Sequence, residues 1–192
     1  MIAVALDADA DAVREWATQE RLTFPVLVDR QHIVAELYGF TNVPASVWID
    51  EHGRVVRPAD TAMGDDRFRA FTNVDSSVHH ERLRRWVVDG VRDLDDPGVR
   101  ANQMLPDDDT QRARLHRRVG IALGDRGDGA GRAHHLREAE RLAPMDWTIV
   151  RGNMPLFGDD PFGDKFFEFA GRWAEAGSPG YPLGTGREQP GA

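Results

Sequence analysis

The chain opens on alternation. Ile2, Val4 and Leu6 are separated by Ala3 and Ala5, the period-two pattern of a short buried strand that ends at Asp7. Asp9 or Asp11 is placed to cap a helix whose Val13, Trp16 and Ala17 share a face. Phe24-Pro25-Val26-Leu27-Val28-Asp29 reads as a second short apolar strand. Ile33, Val34, Leu37 and Tyr38 mark one helical face, which Gly39 closes. Val43-Pro44 introduces the strand Ala45-Ser46-Val47-Trp48-Ile49-Asp50, with Val47 and Ile49 on one side. Glu51-His52-Gly53 forms a tight hairpin turn in which Gly53 is free to take positive φ, and Arg54-Val55-Val56 begins the returning strand. Residues 58–77 lack periodicity and read as loop. Leu83, Trp86, Val87, Gly90, Val91 and Leu94 then follow helical spacing.

Two breaks follow, Asp95-Asp96-Pro97-Gly98 and Pro106-Asp107-Asp108-Asp109, and the stretch 96–109 reads as a linker. Beyond it, Leu115, Val119, Ala122 and Leu123 make one helix face, and Leu136, Ala139, Glu140 and Leu142 make a second that Pro144 stops. The Gly/Asp-rich segment from Gly124 to Gly131 joins them as a turn, so the pair predicts a helical hairpin. Phe162, Phe166, Phe169 and Trp173 repeat at helical spacing and predict a helix that docks on a core. The division expected is therefore 1–95, a linker over 96–109, a helical region over 110–176 and a flexible Gly/Pro-rich tail over 177–192.

Composition narrows the chemistry more than it identifies it. The 192 residues are 41% hydrophobic and 29% charged, the proportions of a globular protein. The net charge of −8 disfavours nucleic acid and anionic membrane as partners. The basic run from Arg112 to Arg118 falls on a predicted helix and is followed by acidic loops. No apolar run reaches the ~18–20 residues of a membrane helix, and Met1–Leu6 has neither the length nor the basic flank of a signal peptide. The expectation is a soluble, cytoplasmic product. There is no cysteine, so the chain as written forms no disulfide and offers no thiolate.

The ordered set Phe24-Pro25-Val26-Leu27-Val28-Asp29, Leu37-Tyr38-Gly39, Val43-Pro44, Trp48-Ile49-Asp50 and Gly53-Arg54-Val55-Val56 resembles the TlpA/ResA branch of the thioredoxin-like superfamily, close to the AhpC/TSA-related redoxins. The resemblance covers residues 1 to about 95 and implies an α/β, thioredoxin-like fold. It implies a cis bond before Pro44, and a groove lined by Val43 and Pro44 that presents backbone to an extended substrate. The family's first strand, its Cys-bearing loop and the helix after it have no counterpart here, because the matching segments begin after them. That strand is central in the family's sheet, so its loss leaves two apolar strands with open edges. Three explanations stand side by side: an internal start within a longer gene, a remnant whose strands re-pair, or an edge supplied by another copy. The hairpin resembles one tetratricopeptide unit, carried by Gly120, Ala139 and Pro144, with Val119, Leu123 and Leu136 at its apolar positions. A single unit cannot bury its own face, so it packs on the first domain or on another chain.

Other constellations read as structural. His79-His80 and His134-His135 are adjacent pairs whose side chains diverge by about 100° on a helix, so neither chelates a metal from one face. His116 lies among arginines that disfavour its protonated form. Asp107-Asp108-Asp109 lacks the glycine and spacing of a calcium loop and suits a helix N-cap. Gly124–Gly131 lacks the Lys-Ser/Thr ending of a phosphate loop. No catalytic residue, cofactor or metal ligand is expected. Two functional classes remain: a relative of the thiol–disulfide oxidoreductases of cell redox homeostasis, inactive as written, or a non-catalytic module that binds an extended peptide or protein at the Pro44 loop or an open sheet edge, with self-association as a further option.

Overall fold

A computed structural model describes residues 1–7 and 9–184. It is mixed α/β, with small sheets and several helices. The chain divides into two compact units. One takes Met1–Leu37 and Pro106–Pro179, the other Tyr38–Leu105 together with the stretch that starts at Gly180. This grouping differs from the division at 95 and 110 expected from the Pro/Gly/Asp breaks. Compactness follows long-range burial, which such breaks do not report.

In the first unit, β1 (Ala3–Ala5) runs parallel to β2 (Val26–Val28), in the register Ala3 to Val26 and Ala5 to Val28. Parallel neighbours need a crossover, and α1 (Ala10–Gln19) provides it. Asp9 is the N-cap, accepting from the backbone N–H groups of Asp11 and Ala12. Of the face expected on α1, Val13 is buried and Trp16 is not. Asp29 then accepts from the N–H groups of Ile33 and Val34 at the start of α2 (Ile33–Tyr38), at 2.9 and 2.7 Å.

The expected hairpin is α6 (Asp108–Asp125) and α7 (Gly129–Leu142). Asp107 caps α6 through Thr110 N–H at 2.8 Å, the role its position suggested. Two further helices complete the unit, α8 (Trp147–Phe157) and α9 (Asp164–Glu175). The aromatic face of α9 docks as expected: Phe169 is fully buried with Trp147, Val150 and Met154 of α8, and Phe166 and Trp173 pack at the margin. Asn153 ties three helices with one amide, accepting from Arg117 Nε of α6 and donating to the Leu136 carbonyl and Glu140 Oε1 of α7.

The second unit is built on β3 (Ala45–Ile49) antiparallel to β4 (Val55–Thr61). Gly53 takes φ +76° in the turn between them, where Asp50 Oδ1 accepts from the His52 and Arg54 N–H groups. The stretch expected as loop from Pro58 is instead largely ordered: β4 continues through Pro58 to Thr61, α3 spans Arg69–Thr72 and α4 Ser76–Asp89. Register shifts between β3 and β4 mark irregular pairing, a setting that tolerates a proline without an N–H. Gly90 ends α4 at φ +68°, short of the Leu94 expected. The expected linker holds α5 (Asp96–Ala101), which buries Val99. Trp48 of β3 stacks on Trp86 of α4 at 5.2 Å, and the buried Arg57 lies over the Trp48 ring while pairing with Asp60 and Asp93.

Gly120 is where α6 and α7 approach closely: a Cβ there would stand 3.0 Å from a Leu136 methyl and 3.3 Å from the Arg132 carbonyl. Gly171 in α9 faces open space. Gly120→Val is expected to lower stability by about 1–3 kcal/mol through overpacking. Gly171→Ala is expected to raise it by about 0.5–1 kcal/mol through helix propensity. Urea unfolding of the two variants measures both, and equal effects would contradict the close approach.

Candidate functional site

The residues singled out from sequence, Val43 and Pro44, lie in the second unit just before β3, and both are exposed. Their peptide bond is cis, the isomer the resemblance implies. Asn42 Oδ1 accepts from Val43 N–H at 2.7 Å, and the Pro44 carbonyl accepts from Ala62 N–H at 3.2 Å. The loop is held by Tyr181. Its hydroxyl accepts from Thr41 and Asn42 N–H at 3.1 and 3.0 Å and donates to the Asn42 carbonyl at 2.7 Å. Tyr181 is buried, so the expected flexible tail is tied down at this point by three hydrogen bonds; residues 185–192 lie outside the described residues. One sequence signal was available, a lone aromatic between Gly180 and Pro182 in a Gly/Pro-rich run.

Beside this loop, β3 hydrogen-bonds to β4 on one side, and no strand of the described residues pairs with its other edge. Trp48 points into the packing with Trp86, whereas Ile49 and Val43 are 39% and 41% exposed. The arrangement offers backbone hydrogen-bonding groups flanked by apolar side chains, with the Ser46 Oγ accepting from Trp48 Nε1 at 3.2 Å.

A buried polar cluster in the first unit went unseen from sequence. His32 sits at φ +56°, its Nε2 hydrogen-bonded to the Leu6 carbonyl at 3.0 Å. Burial, reinforced by the charge of Arg117, pushes its imidazole down to about 4. Arg117 is itself lowered to about 10 by burial. Its Nη1 donates to the Arg30 carbonyl, and Arg114 Nη1 donates to the Glu36 carbonyl. Asp146, at the N-terminus of α8, accepts from Thr148 N–H and Oγ1, and burial raises its carboxyl. Among the described residues, His32 Nδ1 and Asp146 Oδ2 make no hydrogen bond. A cavity of about 10 Å³ touches His32, Arg114, Arg117 and Thr148, space for one water. In the same unit an open groove of about 540 Å³ runs along α1 and β2, lined by Val13, Ala17, Leu22 and Phe24 with Arg14 and Arg21.

The histidine pairs behave differently from each other. His79 packs edge-on against Trp48 at 6.0 Å, and burial lowers its imidazole. His134 is exposed. His135 meets His116 across the hairpin, Nδ1 to Nδ1 at 2.9 Å. His116 is lowered chiefly by desolvation and then by His135; the arginine that contributes is Arg141 of α7, not one of its neighbours in the run 112–118. Among the described residues no group of three or more His, Asp or Glu is placed to hold a metal, and no helix is long and apolar enough to cross a membrane.

Comparison with known proteins returned nothing: no family model, no curated protein and no solved structure matches the chain.

Two outcomes follow from these contacts. Tyr181→Phe strands two N–H donors and a carbonyl, and is expected to cost about 1–3 kcal/mol in denaturant unfolding; an unchanged midpoint would show that the loop does not depend on it. His32 in the unfolded chain takes a proton near pH 6.5, the folded one near pH 4. Between those values the unfolded state binds more protons, so stability is full above pH 6.5 and falls as the pH drops. The loss by pH 4 is about 3 kcal/mol. Asn tolerates the left-handed backbone at position 32, and His32→Asn is expected to flatten this slope; an unaltered slope would assign it to other groups.

Proposed function

We propose that this chain is a thioredoxin-like module that binds an extended peptide or protein segment along the free edge of β3, beside the Val43–Pro44 loop, and performs no thiol chemistry. The single observation that carries the reading is the pairing of β3: β4 on one side, no strand of the described residues on the other. Sheet edges bind extended segments because main-chain hydrogen bonds supply affinity and alternate side chains supply selectivity. Val47 and Ile49 share the side of β3 opposite Trp48, so the segment that suits it carries β-branched or aromatic residues at every second position. The thioredoxin-like part of the reading rests on the order of strands and helices from β1 to α4. The absence of cysteine separates this chain from the redox members of that superfamily.

The test is selection of peptides from a random library on the immobilised full chain, followed by amide chemical-shift mapping with the selected peptide. The expected result is a set of shifts concentrated at Ala45–Ile49, with at least tenfold weaker binding by Ile49→Lys. Shifts centred elsewhere, or full affinity in Ile49→Lys, would overturn the reading.

A further inference from the structure

The α6–α7 hairpin does something to its histidines that neither helix does alone. His116 and His135 are 19 residues apart, yet the antiparallel packing sets their rings 5.0 Å apart, tilted 37°, with Nδ1 facing Nδ1 at 2.9 Å. Two imidazole nitrogens at this distance share a single hydrogen: one carries it and donates, the other accepts with its lone pair. Moving that hydrogen to the ring's own Nε2 is a tautomer change that leaves both rings neutral. It turns both Nδ1 lone pairs toward one point between the helices.

We propose that His116 and His135 form a two-imidazole site for a late first-row divalent ion, with Zn²⁺, Cu²⁺ and Ni²⁺ as the class it takes. Two nitrogens bound to Zn²⁺ at 2.0–2.1 Å in tetrahedral geometry stand about 3.4 Å apart. The hairpin therefore has only to let the rings separate by about half an ångström, a small rotation of either ring. Both residues are half-buried, so the face away from the helices is open to water for the remaining positions, as in zinc sites that keep exchangeable ligands. The donor set selects the ion. Imidazole suits Zn²⁺, Cu²⁺ and Ni²⁺, whereas Ca²⁺ and Mg²⁺ require several oxygens that this pair does not offer. Glu138, the carboxylate one turn beyond His135, is engaged by Arg141 Nε at 3.0 Å. The ion would staple α6 to α7, because the unfolded chain holds the two rings together only by chance and metal binding then counts as folding energy. Adjacent histidines at 134 and 135 do not chelate from one face; His135 with His116 does, because one comes from each helix.

The experiment is a calorimetric titration of the full chain with ZnCl₂ at pH 7.5, paired with Cu²⁺ electron paramagnetic resonance. The expected result is saturable one-to-one Zn²⁺ binding tighter than about 0.1 mM, and nitrogen hyperfine structure from two imidazoles in the Cu²⁺ spectrum. His116→Gln and His135→Gln are each expected to weaken binding at least tenfold, while His80→Ala leaves it unchanged. Thermal melts of the metal-free variants establish that they fold, and the melting temperature of the wild type, but not of the two Gln variants, is expected to rise with Zn²⁺. No saturable binding to the wild-type chain, binding kept in folded His116→Gln and His135→Gln, or loss that tracks His80 instead would each overturn the assignment.

Discussion

The first unit depends on arginines turned inward. A guanidinium is costly to bury and stays charged, so it must be met by acceptors on every side. Arg117 is 3% exposed and Arg114 7%. Between them they hold the Arg30 and Glu36 carbonyls and Asn153. Arg118 adds a pair to the Glu36 carboxylate at 3.1 Å, and Arg30 pairs with Asp125 at the other end of the same helix. These contacts fasten the β2–α2 segment to α6, although some 75 to 95 residues separate them in sequence. The Glu36 carbonyl lies in the last turn of α2, where a short helix leaves its carbonyls open, and the Arg30 carbonyl lies three residues before the helix. His32 is buried beside them, and burial first, then the Arg117 charge, lowers its imidazole.

The second unit uses the same device once. Arg57 on β4 is 2% exposed, and its charge is met by Asp60, by Asp93 and by the face of Trp48. That stack, with Trp86 on the far side, gives β3 a firm inner face. A strand packed on one face and paired on one edge presents its other edge in a defined geometry, the preorganisation that the proposed peptide site would use. The Tyr181 hydroxyl does the same for the preceding loop, which would otherwise carry unpaired backbone at Thr41 and Asn42.

Much of the local architecture was legible because its causes are local. Asp107 followed by a helical pattern, Gly53 at a hairpin and Gly39 after an apolar helix face each involve groups within a few residues, and each formed as its residue types dictate. The same reasoning stopped too early at Pro58. A proline normally ends a strand, yet the irregular pairing of β4 absorbs it. It ran too far at Gly90, where helical spacing continued in the sequence although the glycine adopts the left-handed conformation that ends α4. The candidate site was visible as Val43 and Pro44 but not as a held loop, since Tyr181 lies 139 residues away from Asn42.

The sequence by itself determined what chemistry is absent and which short elements form. Without cysteine there is no thiolate anywhere in the chain, whatever its fold. Capping carboxylates and turn glycines act within about four residues along the backbone, so their effect is written where they stand. Only the tertiary structure decided that Arg114 and Arg117 of α6 face inward, that His116 meets His135, and that the chain groups residues 1–37 with the C-terminal helices. Those outcomes rest on pairs such as His116 with His135, 19 residues apart, and Arg30 with Asp125, 95 apart. At such separations the sequence specifies only side chains able to pair; which of them do so is set by the burial they must satisfy together.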